Sequence, residues 1–502
     1  MSRKFLYLVF AATMILITGA VCAKTQAEEY IWENNWEYTY NLLEDKTAEI
    51  TGIRSKESED YAPAGDWSQI TTIEIPVEID SYVVSGIAKK AFSYWSSVTE
   101  ISIPESVKVI GESAFEGCSC LTTLKIADGV ETIGKRAFAY CDALNSVQLP
   151  DSITKIEGNS FQHCSGLTQF YLTPDHPVYA SLDGVLYEKE GKKLCIYPYG
   201  RKESTYEIPE DILEIGSYAF SACDVLRSVE IPSTVKKIGS GAFAGCTSLT
   251  EFTIPDSVED IGSNPFRDCT SLEKFHISPD QPKFIDIDEV LFDKTKKKLI
   301  TFPCNYRSDT YEIPEGIAEI GAYAFADCLN INEVKISSTV QVVGDHAFEN
   351  CENLPKIVFP EGLISIGKSA FAGCTGFDSF SIPSTVNKID SAAFDGCYNL
   401  KSIEIPPDVK EICNNTFRSC FSLETVIIPE GVTAIGSGVF QNCYNISKIK
   451  IPDSVKDMDE DAFEGCSASL LLIVERKSKA RKYARKHNIL YTYTDADSWL
   501  HK

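Results

Sequence analysis

The chain has 502 residues, of which 44% are hydrophobic, and its formal net charge at pH 7 is −25. An acidic balance of this size keeps a long chain soluble and argues against nucleic acid as a partner, because binding to phosphates requires positive charge. No run of 18 or more apolar residues follows the first 23 residues, so the sequence predicts no transmembrane span in the mature chain.

Residues 1–23 have the pattern of a secretory signal peptide. Arg3 and Lys4 supply the positive start, an apolar stretch follows, and small residues precede a cleavage site near Ala23, with Ala27 as the alternative. The mature chain is therefore expected to be secreted, and its attachment to a cell surface is left open.

Residues 24–70 are predicted to form a β-rich amino-terminal cap. This segment is rich in aromatic residues, among them Trp32 and Trp36. Apolar and polar residues alternate from Tyr38 to Leu42, which is the period of a half-buried strand.

A phenylalanine recurs at a step of 23 residues, with two interruptions, from residue 92 to residue 463. Thirteen of these fourteen phenylalanines are followed three residues later by cysteine; Phe92 has Trp95 there instead. A fixed period between 20 and 50 residues indicates stacked repeats, so residues 71–466 are predicted to form a solenoid. The fourteen residues are Phe92, Phe115, Phe138, Phe161, Phe220, Phe243, Phe266, Phe325, Phe348, Phe371, Phe394, Phe417, Phe440 and Phe463.

One repeat shows how each coil is built. Val229 to Ile231 alternates as a strand does, and Pro232 ends it because proline has no N–H for a sheet ladder. Gly239 indicates positive φ or a close backbone approach. The segment from Ala242 to Cys246 fits one short helical turn.

Two enlarged coils interrupt the period, near residues 172–207 and 277–312. They match each other at an offset of 105 residues, for example Pro174 with Pro279 and Tyr206 with Tyr311. Each is predicted to carry a hairpin, turning near Gly191 in the first coil, in place of the helical turn.

The eighteen cysteines would suggest disulfides in an exported protein. The thirteen that share one phase of the repeat should instead stack about 4.8 Å apart with parallel Cβ vectors. Because a disulfide needs Cβ atoms about 3.8 Å apart that turn toward each other, these cysteines are predicted to be small buried hydrophobes.

Residues 467–502 are predicted to cap the other end. Between Arg476 and Lys486 lie seven cations, and Ala480, Tyr483 and Ala484 form an apolar stripe at helical spacing. A short basic helix that covers the last coil is the expected structure. Its cations are either a solvated face or a contact for an anionic cell-wall polymer.

The repeat pattern L-x-x-I-x-I-P-x-x-V-x-x-I-G-x-x-A-F-x-x-C resembles the BspA-type leucine-rich repeats of secreted and surface proteins. The resemblance covers about residue 70 to residue 466. It implies an α/β leucine-rich repeat solenoid, a right-handed curved superhelix dominated by β-strands with short helical turns. It also implies adhesion to extracellular or host proteins, or to neighbouring cells.

Nothing in the sequence predicts an enzyme, a cofactor or a metal site. The six histidines fall at unrelated phases of the repeat, so repetition cannot cluster them. Asp457, Asp459 and Asp461 resemble the start of a calcium loop, but Ala462 and Ala468 replace the glycine and glutamate that such a loop requires.

The outward positions of the strands are expected to be the binding face, because they vary while the inward positions keep their type. Least expected on a hydrated sheet are Tyr171, His276, Val358 and Ile427, which are the candidate ligand-binding residues. Scattered surface apolar residues without a role are an equally good interpretation. The aromatic residues of the enlarged coils are a second candidate surface.

The sequence therefore predicts a monomeric, non-catalytic adhesin or recognition scaffold that binds protein or glycan through its concave strand face or its enlarged coils. A structural component of the cell envelope is one alternative. The targeting module of a polymer-degrading enzyme is a weaker one, since only short segments lie outside the repeats.

Overall fold

The computed structural model describes residues 36–55, 70–355, 357–379 and 381–495. The chain divides into two compact units, residues 1–201 and 202–502. Each unit is a β-solenoid of stacked leucine-rich coils. The predicted signal peptide, with its cleavage positions at Ala23 or Ala27, lies outside the described residues.

Each regular coil contributes two short strands, each to its own parallel sheet. In one coil, Ile403 is buried between exposed Ser402 and Glu404, and Pro406 follows the strand. Residues 23 apart pair in register across neighbouring coils, as Ile403 does with Val426. The alternation therefore places every second side chain in the interior.

In the first unit, a hairpin of Trp36–Leu42 and Ala48–Ser55 precedes the coils, and Glu78–Ile79 pairs with a later strand. The first strands of its coils are Thr72–Glu74, Glu100–Ile103, Thr123–Ile126, Ser146–Gln148 and Gln169–Tyr171. The second strands are Tyr82–Ile87, Val109–Ile110, Thr132–Ile133 and Lys155–Ile156. Its enlarged coil adds Tyr179–Leu182, Val185–Glu188 and Lys193–Ile196.

In the second unit the same two series continue. The first strands are Thr205–Glu207, Ser228–Glu230, Glu251–Ile254, Lys274–Ile277, Thr310–Glu312, Glu333–Lys335, Ile357–Val358, Ser402–Glu404, Thr425–Ile427, Lys448–Lys450 and Leu471–Val474. The second strands are Glu214–Ile215, Lys237–Ile238, Asp260–Ile261, Glu319–Ile320, Val342–Val343, Ser365–Ile366, Lys388–Ile389, Glu411–Ile412, Ala434–Ile435 and Asp457–Met458. The enlarged coil adds Phe284–Ile287, Val290–Asp293 and Lys298–Thr301, and the chain closes with helix Lys479–Lys486 and strand Leu490–Tyr493.

The repeating phenylalanines form a stacked column inside each unit. Ring centroids of Phe115 and Phe138 lie 5.4 Å apart with planes 7° from parallel, and those of Phe348 and Phe371 lie 5.3 Å apart at 7°. These four side chains are fully buried. The column is the continuous core that stacking repeats require.

The predicted helical turn around each phenylalanine is wrong. Residues two before and two after the phenylalanine adopt positive φ in all fourteen coils except that of Phe463, for example Ser369 (φ 51°) and Gly373 (φ 72°) around Phe371. This backbone cannot continue a right-handed helix. It directs N–H groups along the solenoid, so that Phe371 N donates to Ala393 O at 2.8 Å and Gly373 N to Asp395 O at 2.8 Å. The turns thus hold neighbouring coils together with a third hydrogen-bond ladder.

Gly239 is required for a close approach rather than for positive φ. A Cβ atom added there would lie 2.4 Å from the backbone nitrogen of Ser217 in the preceding coil. That distance is shorter than any real Cβ contact, so a side chain at this position would push the coils apart.

Both enlarged coils have the predicted hairpin turn and one more turn besides. In the first, Val185–Glu188 pairs antiparallel with Lys193–Ile196 around Gly191, and with Tyr179–Leu182 around a tight turn at Asp183 and Gly184. The second coil repeats both pairings.

The prediction that a hairpin takes the place of the turn is wrong, because the added strands precede the turn. In the second enlarged coil Phe302 follows the last strand and stacks on Phe325 with a centroid separation of 4.6 Å. Phe302 therefore supplies the ring for that level of the column, which keeps the interior filled.

Most of the repeat cysteines are buried thiols, as predicted. The thiol of Cys374 donates to Phe348 O in the preceding coil at 2.9 Å, and the same contact recurs along the column. Burial raises the pKa of the Cys118 thiol to about 12. These thiols are consequently protonated and poorly nucleophilic at neutral pH.

The prediction is wrong for Cys328, which forms a disulfide with Cys304. Cys304 does not share the phase of the column, so its side chain approaches from the enlarged coil rather than from a stacked neighbour. The parallel-vector argument holds only between residues of the same phase. The first enlarged coil has Tyr199 at the corresponding position, so it has no thiol there to form the equivalent disulfide.

At the carboxyl-terminal end, helix Lys479–Lys486 packs the predicted apolar stripe against the last coil. Ala480, Tyr483 and Ala484 are buried, and Ser478 caps the helix by accepting from Arg481 N. The hydroxyl of Tyr483 donates to Glu460 O at 3.1 Å. The helix thereby covers the apolar end of the phenylalanine column.

Candidate functional site

Within each unit, the first-strand surface is the outward face of the short parallel sheets that the first strands of the coils form. Three of the predicted binding residues stand out on it as exposed apolar side chains: Tyr171 is 49% exposed, Val358 62% and Ile427 51%. Tyr171 belongs to the first unit and the other two to the second. Each is the last residue of its strand, at a position that the alternation directs away from the core.

The structure does not gather these residues into one cluster. Val358 is paired with Lys335, and Ile427 with Glu404, on the preceding strands. Val358 and Ile427 lie three coil steps apart, which is roughly 14 Å along the stack of coils. The second unit therefore presents two separate exposed apolar side chains, each paired with a charged residue on the preceding strand.

His276, the fourth predicted residue, is already engaged. Its Nε2 lies 3.2 Å from a carboxylate oxygen of Glu251, which also pairs with Lys274 at 3.1 Å. Hydrogen bonds from His276 and then Lys274 lower the pKa of Glu251. His276 therefore belongs to a surface ion-pair group and is a weaker candidate than the apolar residues.

The aromatic residues of the enlarged coils are mostly core. Tyr179, Tyr187, Tyr197, Phe284 and Phe292 are all buried. They fill the space between the added strands and the column, so this predicted second surface is reduced to a few partly exposed rings.

The sequence analysis missed a groove on the turn surface of the second unit. The turn surface is the face formed by the turn residues that flank the repeating phenylalanine in each coil. It has a volume of about 410 Å³ and crosses five neighbouring coils. Gly373 and Gly396 form its floor, because two adjacent coils lack a side chain at the position two residues after the phenylalanine. Asn350 and Asn442 occupy the same position in coils on either side and bound the groove.

One wall of the groove carries a charged pair and an aromatic ring. Arg418 Nε donates to Asp395 Oδ1 at 3.0 Å, and a second guanidinium nitrogen contacts the other carboxylate oxygen. Tyr398 lines the groove beside them and is 45% exposed. The wall therefore offers planar polar groups next to an apolar surface.

Tyr398 begins a surface stack of three rings. Its centroid lies 4.7 Å from that of Phe421 with planes 5° from parallel, and Phe421 lies 5.3 Å from Tyr444. The signal was available in the sequence, since the three residues repeat at 23-residue steps directly after the repeat cysteine.

A second cluster of polar side chains surrounds Arg267. Its Nε lies 3.3 Å from Asp268 and 3.5 Å from Asp327, while a terminal nitrogen lies 3.8 Å from Glu349. Arg267 also sits over the ring of Tyr323, 5.2 Å from the centroid. One guanidinium thus faces three carboxylates, which favours retaining a proton on one of them.

Desolvation, and then the hydrogen bond with Asp327, raise the pKa of Asp268 from 3.8 to about 7. The folded protein therefore holds a proton that the unfolded chain has released at pH 6, and this stabilisation is lost as the pH rises through about 7. We expect the melting temperature to fall between pH 6 and pH 8. The Asp268 side chain is 45% exposed, so solvent screening limits the effect to about 1 kcal/mol or less.

The check is a comparison of melting temperatures at the two pH values for the wild type and Asp268→Asn. The variant should show a flatter dependence, because its amide cannot titrate. An unchanged difference between pH 6 and pH 8 in the variant would contradict this assignment. Asp408→Asn, at an exposed aspartate of the same unit, serves as the control.

Among the described residues, no group of three or more His, Cys, Asp or Glu side chains is arranged to hold a metal ion. No helix in that part of the chain has the length and hydropathy of a membrane span.

Comparison with known proteins gives a family and a group of solved structures. The family model of the BspA type leucine rich repeat region matches in six copies, over residues 85–180, 199–310, 304–376 and 342–470. No curated protein matches the chain significantly.

Among solved structures, a leucine rich cell surface protein from Faecalibacterium prausnitzii is 30% identical, with 78% of this chain and 92% of that chain covered and a TM-score of 0.46. A leucine-rich repeat protein from Bacteroides ovatus is 26% identical over 91% of this chain and 98% of its own, with a TM-score of 0.39. The pneumococcal vaccine antigen PcpA is 20% identical over 92% and 97%, with a TM-score of 0.43.

The family model spans more than half of the chain, and its copies coincide with the coils that the phenylalanine column joins. The chain belongs to the BspA-type leucine-rich repeat family.

Proposed function

We propose that this chain is a non-catalytic recognition scaffold of the cell exterior that binds a protein partner through the first-strand surface of its second unit. The observation that carries the proposal is the exposure of Val358 and Ile427, at 62% and 51%, on strands whose other outward residues are mostly polar. Membership of the repeat family and the secretory pattern of residues 1–23 support an extracellular location.

Exposed apolar side chains surrounded by charged ones are the arrangement of a protein-binding surface. The apolar residues supply the buried contacts, and the charged neighbours, here Lys335 and Glu404, form a polar rim. Parallel pairing with the preceding strand holds each of these side chains in place, so little conformational entropy is lost when a partner binds.

The test is capture of partners from a surface extract by purified protein, with each partner then identified and its affinity measured. Val358→Glu combined with Ile427→Glu should weaken binding about thirty-fold or more, as charging two central contacts costs about 2 kcal/mol or more. Val109→Glu is the matched control, because Val109 is an exposed valine on a second strand. Equal capture by the double variant and the control would count against this surface.

A glycan ligand for the same surface, and self-association into an envelope layer, are the competing functions. The first would appear as binding that survives protease treatment of the extract. The second would appear as concentration-dependent assemblies in sedimentation velocity experiments on the protein alone.

A further inference from the structure

We propose that the groove between Asn350 and Asn442 binds a neutral oligosaccharide, with Tyr398 as its apolar contact. This site is on the turn surface, formed by different residues of each coil from those of the first-strand surface. The proposal does not depend on the protein-binding role assigned to Val358 and Ile427.

The polar groups of the groove match hydroxyl groups better than they match a net charge. The side chains of Asp395 and Arg418 neutralise each other through two contacts, so neither is free to pair with an ionic ligand. A carboxylate and a guanidinium nevertheless keep acceptor and donor positions at their edges. The acidic net charge of −25 further disfavours a polyanion.

The two asparagines extend this pattern to both ends of the groove. Asn350 uses its amide nitrogen to donate to Asp327 at 2.8 Å, and its amide oxygen lies over Gly373. Each asparagine amide contains both a donor and an acceptor, as a sugar hydroxyl does. A chain of hydroxyl groups along the groove therefore meets complementary partners at intervals.

Tyr398 supplies the apolar surface that a sugar ring needs for its C–H groups. Phe421 covers one face of the Tyr398 ring, whereas the preceding coil carries only Thr375 at the equivalent position. The small neighbour leaves the opposite side of the ring accessible, in agreement with its 45% exposure. Tyrosine is suited to such a site because an apolar ring carries a polar hydroxyl.

The dimensions fit a short oligosaccharide. Five coils, and so four steps of about 4.8 Å, give a length of roughly 19 Å between the first and the last. The volume of about 410 Å³ lies within the range of small-ligand pockets. The floor exists because Gly373 and Gly396 occur in consecutive coils, whereas Gly117, Gly245 and Gly465 occupy the same position singly, next to coils that carry a side chain there.

Because equivalent positions of the repeat share a backbone conformation, a side chain found in one coil can be placed in another to fill the groove. Gly396 has φ 70°, and Asn442 holds φ 63° at the equivalent position two coils later. A Cβ atom at Gly396 would meet nothing nearer than 3.5 Å. Gly396→Asn should therefore fold normally while it occupies the floor. Tyr398→Thr copies the residue of the preceding coil and removes the ring.

The experiment measures binding of maltotriose, cellotriose and chitotriose to the full-length protein by saturation-transfer NMR, followed by titration calorimetry. We expect at least one trisaccharide to bind, and both groove variants to weaken it about tenfold or more. Gly245→Asn is the control, since Gly245 has φ 76° at the equivalent position of a coil outside the groove. Melting temperatures verify that each variant is folded.

The outcomes separate this inference from the proposed protein-binding role. Sugar binding that is lost in Gly396→Asn and kept in the Val358→Glu, Ile427→Glu double variant supports the groove. Absence of binding by all three trisaccharides, or equal affinity in the wild type and a folded Gly396→Asn, overturns it.

Discussion

Replacement of Phe348 by alanine is expected to lower the free energy of unfolding by about 3–5 kcal/mol, which is the range for deleting a buried aromatic ring. Phe348 is fully buried, and its ring stacks on Phe325 at 4.8 Å and on Phe371 at 5.3 Å. The cavity would interrupt the column between two coils. Since stability in a stacked array depends on contacts between neighbours, the loss should extend to adjacent coils.

Urea unfolding followed by circular dichroism measures the effect, with the urea dependence checked for a second transition. Val358→Ala is a suitable control, because it removes apolar atoms from an exposed side chain only ten residues away. We expect that control to change the unfolding free energy by about 0.5 kcal/mol or less. Similar losses in the two variants would show that the column is not the core.

Removal of the Cys304–Cys328 disulfide is expected to have the next largest effect. The bond joins residues 24 apart, and closing a loop of this length stabilises the folded chain by about 3 kcal/mol through the entropy of the unfolded state. The variant with both cysteines replaced by alanine should therefore unfold at lower urea. Cys374→Ala, which removes one buried thiol from the column, should cost only about 1 kcal/mol.

Thiol titration gives an independent measurement of the same bond. The unreduced, denatured protein should expose fifteen thiols from the described cysteines, and Cys304→Ser should expose one more by releasing Cys328. A count that does not rise in Cys304→Ser would contradict the pairing.

The repeating sequence fixes much of this protein because each coil solves the same packing problem. The 23-residue spacing of phenylalanine and cysteine places both residues in columns, and the alternation in each strand decides which residues face outward. Both features are local or periodic, so Phe348, Val358 and Ile427 could be assigned to core and surface from the sequence alone.

Contacts between residues at different positions of the repeat could not be predicted from the sequence and were seen only in the tertiary structure. Cys304 meets Cys328 because an enlarged coil brings it there, and no period relates the two positions. Similarly, the groove at Gly373 and Gly396 arises from two missing side chains in adjacent coils, a feature of the turn surface that a strand pattern does not describe. The period of the sequence determines which side chains stack on each other in neighbouring coils. The contacts of residues that do not follow the period are decided only by the folded structure.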